Sequence, residues 1–212
     1  NQGSSPRGYL RAREVAEASG AELAATLRLV IDEIDPDRLW LFANSLGAQV
    51  VADAFGILYQ DQSFADAEVE FEDVVLTAPD VDHAAFDERF KDEVLALADK
   101  LTVYVSSNDR ALVLSRIINR SPRRGESTLS PDQLEEAIRI AELIEPGEDH
   151  MDLIDVTPVN RTRNFHSFSL ETPEFFDDLY LRLANSEVPD SRLLYQIKTE
   201  DGEVYWVLTR GR

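Results

Sequence analysis

Ser45 stands in the segment Leu39–Gly47, read LWLFANSLG, where an apolar run passes straight into a turn of small residues. Ala43 and Gly47 lie two residues before and two after it, the positions where bulk would collide on a sharp strand-to-helix turn. A serine hydroxyl is a weak nucleophile at neutral pH. It needs an imidazole to take its proton and a carboxylate to orient that imidazole. The sequence offers three histidines, His83, His150 and His166. Candidate acids are Asp109, which closes LTVYVSSND, and Asp80 and Asp82 in APDVD. The order Ser45, Asp109, His166 is serine, acid, histidine, with each residue expected after a strand, and it is preferred over the alternatives Asp80 and Asp82. The backbone N–H of Leu46 would supply one oxyanion donor, and the chemistry would be acyl transfer to Ser45 followed by hydrolysis.

Each of these residues also has an ordinary role open to it. A serine in a small-residue turn is commonly a turn or cap residue, Asp109 could cap a segment beginning Arg110–Ala111, and a loop histidine is commonly just exposed. The joint arrangement is harder to reach by accident than any one member. His83 follows EDVVLTA too early, and His150 precedes the strand MDLIDV, so both read as structural or solvated. Asp155 falls inside that strand. Phe165 and Phe168 read as core or pocket wall, and Trp206 as packing.

The elements that would position this set alternate. Leu23, Leu27, Val30, Ile31 and Ile34 share one face of a helix over Ala21–Ile34, which Asp35–Pro36 ends. Leu39–Phe42 lacks polar alternation, which predicts a central parallel strand covered on both faces. A helix over about Ala48–Tyr59 follows. Asp73–Thr77, Leu101–Ser106 and Met151–Val156 read as further strands, separated by helices near Ala85–Asp99 and Pro131–Ile144. Ser130, Pro131 and Gln133 give the last of these a capped start. Such alternation implies right-handed crossovers in a doubly wound, mainly parallel α/β sheet with its chemistry at the carboxyl ends of the strands. Leu193–Lys198 and Glu203–Leu208 flank a turn at Thr199–Gly202 and predict a C-terminal β-hairpin appendage over 191–212, beside a main domain over 1–190. Asn1–Gly8 reads as a flexible start.

Composition narrows the function classes. At 212 residues, 43% hydrophobic and 29% charged, the chain can bury a core as one domain. A formal charge of −20 argues against nucleic-acid and anionic-membrane surfaces, and no apolar run is long enough to span a bilayer. Without cysteine there are no disulfides or thiolate sites. Sequence patterns for zinc proteases, dinucleotide loops and phosphate loops are absent, so neither metal nor organic cofactor is expected. Cytoplasm is the default location, although a chain that opens on Asn1 leaves an address signal open.

ANSLGAQVVADA, VVLTAPDVDHAAF, LTVYVSSNDRALVLSR and MDLIDVTPVNRTRNFHSF together resemble a bacterial alpha/beta-hydrolase family of esterase- and lipase-like proteins of largely uncharacterised role. The likeness runs from about Tyr9 to His166. It implies a serine hydrolase of carboxylic-ester type, with Ser45 as nucleophile, Asp109 as acid and His166 as base, acting on a small ester or other acyl substrate. Two departures are local: Asn44 stands where the family commonly has histidine, and Ala43 where it has glycine. A third is larger. The resemblance implies earlier strands and a His-Gly loop that gives a second oxyanion amide, so this chain would be the C-terminal part of the fold. An open sheet edge would then favour self-association. The rival expectation is a catalytically inactive hydrolase-fold binding or assembly module.

Overall fold

The structure, a computed structural model, describes residues 6–61, 64, 71–81, 90–106, 109, 151–184, 192–198 and 204–210. In chain order these form α1 (Pro6–Ile34), β1 (Trp40–Asn44), α2 (Gly47–Tyr59), β2 (Asp73–Thr77), α3 (Lys91–Leu95), β3 (Leu101–Val105) and β4 (Met151–Asp155). Then come α4 (Phe168–Glu171), α5 (Pro173–Leu183), β5 (Leu194–Lys198) and β6 (Val204–Leu208). The helix expected at Pro131–Ile144 and the first part of that expected at Ala85–Asp99 lie outside the described residues, as does the hairpin turn.

The strands make one six-stranded sheet in the order β1-β2-β3-β4-β6-β5. Neighbours are parallel from β1 through β6, and only β5 runs antiparallel, against β6. Period-two alternation divides the sheet into two faces. Val74 and Leu76 of β2 and Leu101 and Val103 of β3 join Ala24, Leu27 and Ile31 of α1, Val51, Phe55 and Leu58 of α2 and Val94 of α3 in one core. Val75, Tyr104 and Ile154 face the other way, onto Phe168 of α4 and Phe175 of α5. The result is three layers, helix, sheet, helix.

Several expectations are corrected by this arrangement. α1 begins at Pro6, well before Ala21, and its buried stripe is Ala16, Gly20, Ala24, Leu27 and Ile31, with Ile34 exposed. Gly20 lets α1 pass close to α2, since a Cβ there would stand 2.5 Å from Asp53 Cβ of α2. Among the described residues β1 pairs only with β2, at the end of the sheet, and it is not covered on both faces: Phe42 is exposed, whereas every residue of β2 and β3 is buried. Nor is the C-terminal hairpin an appendage. β6 pairs with β4 through Ile154↔Trp206 and Asp155↔Val207, so the hairpin forms the far side of the same sheet. Trp206 and Leu208 pack on the α4–α5 face, which a hairpin hanging off the domain could not do.

Two buried ionic clusters tie the layers. Arg182 of α5 donates from Nε to Asp73 Oδ2 at 2.5 Å and from Nη1 to Asp152 Oδ2 at 2.8 Å, and Lys100 Nζ stands 2.9 Å from the same Asp152 oxygen. Arg192 grips Asp178 of α5 with two bonds, at 2.8 and 2.9 Å, while the Tyr104 hydroxyl donates to Asp178 Oδ2 at 2.5 Å. Burial, and then the Asp178 charge, push the Tyr104 hydroxyl well above its ordinary range, so it stays a donor.

Candidate active site

Ser45 sits where β1 turns into α2, with φ at 56°, in the left-handed region that a side chain normally avoids. Three backbone bonds hold it there. Its N–H donates to Thr77 O at 3.0 Å, while its carbonyl accepts from Ala48 N at 3.0 Å and Asp80 N at 3.1 Å. The turn is therefore fixed to the carboxyl end of β2 and to the first turn of α2 together. The collision expected of a side chain at Gly47 is not found for a Cβ, which would meet Ala43 Cβ at 3.6 Å, an ordinary contact. Ala43 is thus accommodated at the position where glycine was the usual residue. Leu46 is the N-cap of α2, so its amide is at the positive end of the helix, next to the serine.

The other two residues come from the neighbouring strand ends. Asp109, fully buried, lies beyond β3, where its N–H donates to Ser106 O at 3.2 Å. His166 lies in the loop between β4 and α4, its side chain 17% exposed, and its Nδ1 is 2.6 Å from Asp109 Oδ2. An ionised carboxylate can only accept, so this contact suits the tautomer that has its proton on Nδ1. The imidazole thus has its carboxylate partner in Asp109. Asp80 is buried beside the serine turn and uses its backbone N–H there. Asp82, His83 and His150 lie outside the described residues.

The parallel register brings these pieces to one end. Asn44 is level with Thr77, Thr77 with Tyr104, and Tyr104 with Ile154, so the residues just past each strand gather along one edge of the layers. Backbone strain gathers there too: Ser45, Ala78 and Phe165 all have positive φ. Asn44 Nδ2 donates to Thr77 Oγ1 at 2.9 Å and to Ser169 Oγ at 3.0 Å, tying the serine strand to the helix that follows His166. Asn160 Nδ2 donates to Ser106 Oγ at 2.9 Å and to Phe165 O at 2.7 Å. In the sequence Asn44 stands out only as a departure from the resemblance, and Asn160 does not stand out. The one local signal for the latter was Asn160–Thr162, an asparagine two residues before a threonine, whose N–H and hydroxyl its Oδ1 accepts at 3.2 and 2.9 Å.

Phe168 is core, with its ring 5.9 Å from that of Phe175, and Asp155 closes β4 by accepting from Thr157 N at 2.8 Å. Among the described residues no group of His, Cys, Asp and Glu could hold a metal ion, and no helix is long and apolar enough to cross a membrane.

Residues 2–179 match the family described as alpha/beta hydrolase of unknown function (DUF900). The chain belongs to that family. DUF900 membership and the mainly parallel sheet agree on the fold and support hydrolase activity in general. No curated protein and no solved structure matches this DUF900 chain.

Proposed function

We propose that this chain is a serine hydrolase acting on small esters or related acyl compounds. The reading rests above all on the 2.6 Å contact between His166 Nδ1 and Asp109 Oδ2, which leaves a basic nitrogen at the sheet end where Ser45 is held in its strained turn. In the proposed reaction His166 Nε2 takes the Ser45 proton as Oγ attacks the acyl carbonyl. The negative charge that develops on the carbonyl oxygen is met by the Leu46 amide and the positive end of α2. His166 then gives its proton to the departing alkoxide, leaving an acyl-serine. Water, deprotonated by the same nitrogen, releases the acid and returns the proton to Ser45. Asp109 keeps the ring oriented and stabilises the imidazolium without itself becoming protonated.

A fluorophosphonate probe tests this directly. Intact mass should show a single covalent adduct on the folded chain and none on Ser45→Ala, and hydrolysis of p-nitrophenyl acetate should fall by at least about a thousandfold in that variant. A folded wild-type chain that takes no adduct would overturn the reading in favour of a non-catalytic binding module.

A further inference from the structure

We infer that Asn160 is a positioning residue that holds the His166 imidazole onto Asp109, by clamping the histidine loop to the acid loop. The inference rests on the serine-hydrolase reading for its catalytic meaning, but its structural content can be tested separately. Asp109 and His166 arrive on different loops, and each loop needs a fixed point close to its functional residue. Asn160 touches both. Its single amide nitrogen uses its two hydrogens across the gap, one to Ser106 Oγ on the acid side and one to Phe165 O on the histidine side. Ser106 is fully buried and its carbonyl accepts the Asp109 N–H, so the first bond fixes the turn from which the carboxylate projects. Phe165 immediately precedes His166 and has φ at 56°, a strained conformation for an aromatic residue. The second bond captures the carbonyl of that strained residue, which sets the direction in which His166 leaves the backbone.

The remaining contacts fix Asn160 itself. It is 4% exposed, its N–H donates to Val156 O at 2.9 Å at the end of β4, and Oδ1 accepts both donors of Thr162. No other residue type supplies both donors and the double acceptor at this reach: serine and threonine lack the second donor, an ionised aspartate lacks both donors, and glutamine is a methylene too long for so buried a place. Asn160 does not touch the imidazole or the carboxylate in any bond described, so it acts through the two loops rather than in the reaction. A shift of about an ångström between base and nucleophile is enough to cost roughly a hundredfold in rate.

The test uses Asn160→Ala, Asn160→Asp and the milder Ser106→Ala, which removes one anchor and leaves Asn160 in place. The readout that a general loss of stability would not give is the strongly deshielded Nδ1 proton of His166, observed by proton NMR at low temperature on samples with wild-type far-UV circular dichroism. Wild type should show it, both Asn160 variants should lose it or move it upfield, and Ser106→Ala should shift it part-way. The kcat for p-nitrophenyl acetate should fall by about ten- to a hundredfold in the Asn160 variants with KM little changed. If the Nδ1 resonance is unchanged in all three variants, the clamp is wrong, whatever their activity. If Asn160→Ala and Asn160→Asp do not fold, an unchanged resonance in Ser106→Ala overturns it equally. Loss of the resonance in a protein whose wild type takes no fluorophosphonate would uphold the clamp while removing the hydrolase reading.

Discussion

At the scale of single residues, the proposed reaction separates orientation from acid–base work at His166. In it Asp109, 2.6 Å from Nδ1, orients the ring and the other nitrogen does the chemistry. An amide in place of the carboxylate could present its NH2 group instead, holding the proton on the wrong nitrogen while filling the same volume. Asp109→Asn should therefore lower kcat for an ester substrate by roughly ten-thousandfold, with little change in KM. Steady-state kinetics beside a fluorophosphonate time course would check it; a loss of less than tenfold would mean another carboxylate, Asp80 or Asp82, orients the ring. How much of this was legible beforehand differs from residue to residue. Ser45 was findable because an apolar run that passes into small residues at fixed offsets is a pattern written within a few adjacent residues. Asn160 was not, because its partners Ser106 and Phe165 are chosen by where two loops meet, and a lone asparagine in a polar loop has many ordinary uses.

Among elements, β2, β4 and α5 meet at Arg182, whose two carboxylate partners are held in opposite senses. Burial pushes Asp73 up, and Arg182, Thr102 and Lys100 do not fully offset it, so its carboxyl titrates above the ordinary value of 3.8. Burial also acts on Asp152, but there the charges of Arg182 and Lys100 outweigh it and the carboxyl titrates below 3.8. The signs follow from linkage. Asp73, raised in the folded state, contributes stability that is present below its unfolded pKa and is lost as pH rises through its folded one. Asp152, depressed in the folded state, contributes stability that is present above its unfolded pKa and is lost as pH falls through its folded one. Urea unfolding of wild type and Asp73→Asn between about pH 4 and 7 should thus show the gap between them narrowing as pH rises, by no more than about 1.4 kcal/mol for each pH unit. A gap that widens would mean that Arg182 controls Asp73 as it does Asp152. Asp152→Asn should show the reverse slope, confined to the more acidic end.

For the molecule as a whole, the formal charge of −20 sets a long-range repulsion that local pairs relieve only in part. Surface pairs such as Arg38–Glu72 and Arg13–Glu17 are exposed enough for salt to weaken them, but each contributes little. The buried Arg182 and Arg192 clusters are screened far less. Raising sodium chloride from about 10 mM to about 0.5 M should therefore raise the midpoint of thermal unfolding, by several degrees, because screening relieves repulsion in the folded state more than it weakens attraction. A midpoint that falls instead would show that exposed pairs carry more of the stability than their geometry suggests.

What the sequence determined by itself was whatever short-range physics writes into a few adjacent residues. The period of apolar positions placed the strands and α2, the small residues around Ser45 marked the turn, and the order of serine, acid and histidine pointed to strand ends on one side, whereas the start of α1 and the helices α4 and α5 were not read from it. Those signals depend on backbone geometry that repeats every two or 3.6 residues, so a window of the chain contains them. Only the tertiary structure decided the order of the described strands, in which β1, with the apolar composition of a covered strand, pairs with β2 and leaves Phe42 exposed. It likewise decided that the C-terminal hairpin completes the sheet against β4, and that Asn44 and Asn160 reach residues far along the chain. These contacts have no period. They arise where layers stack and loops converge, and their cost and gain depend on neighbours that become neighbours only after the chain has folded.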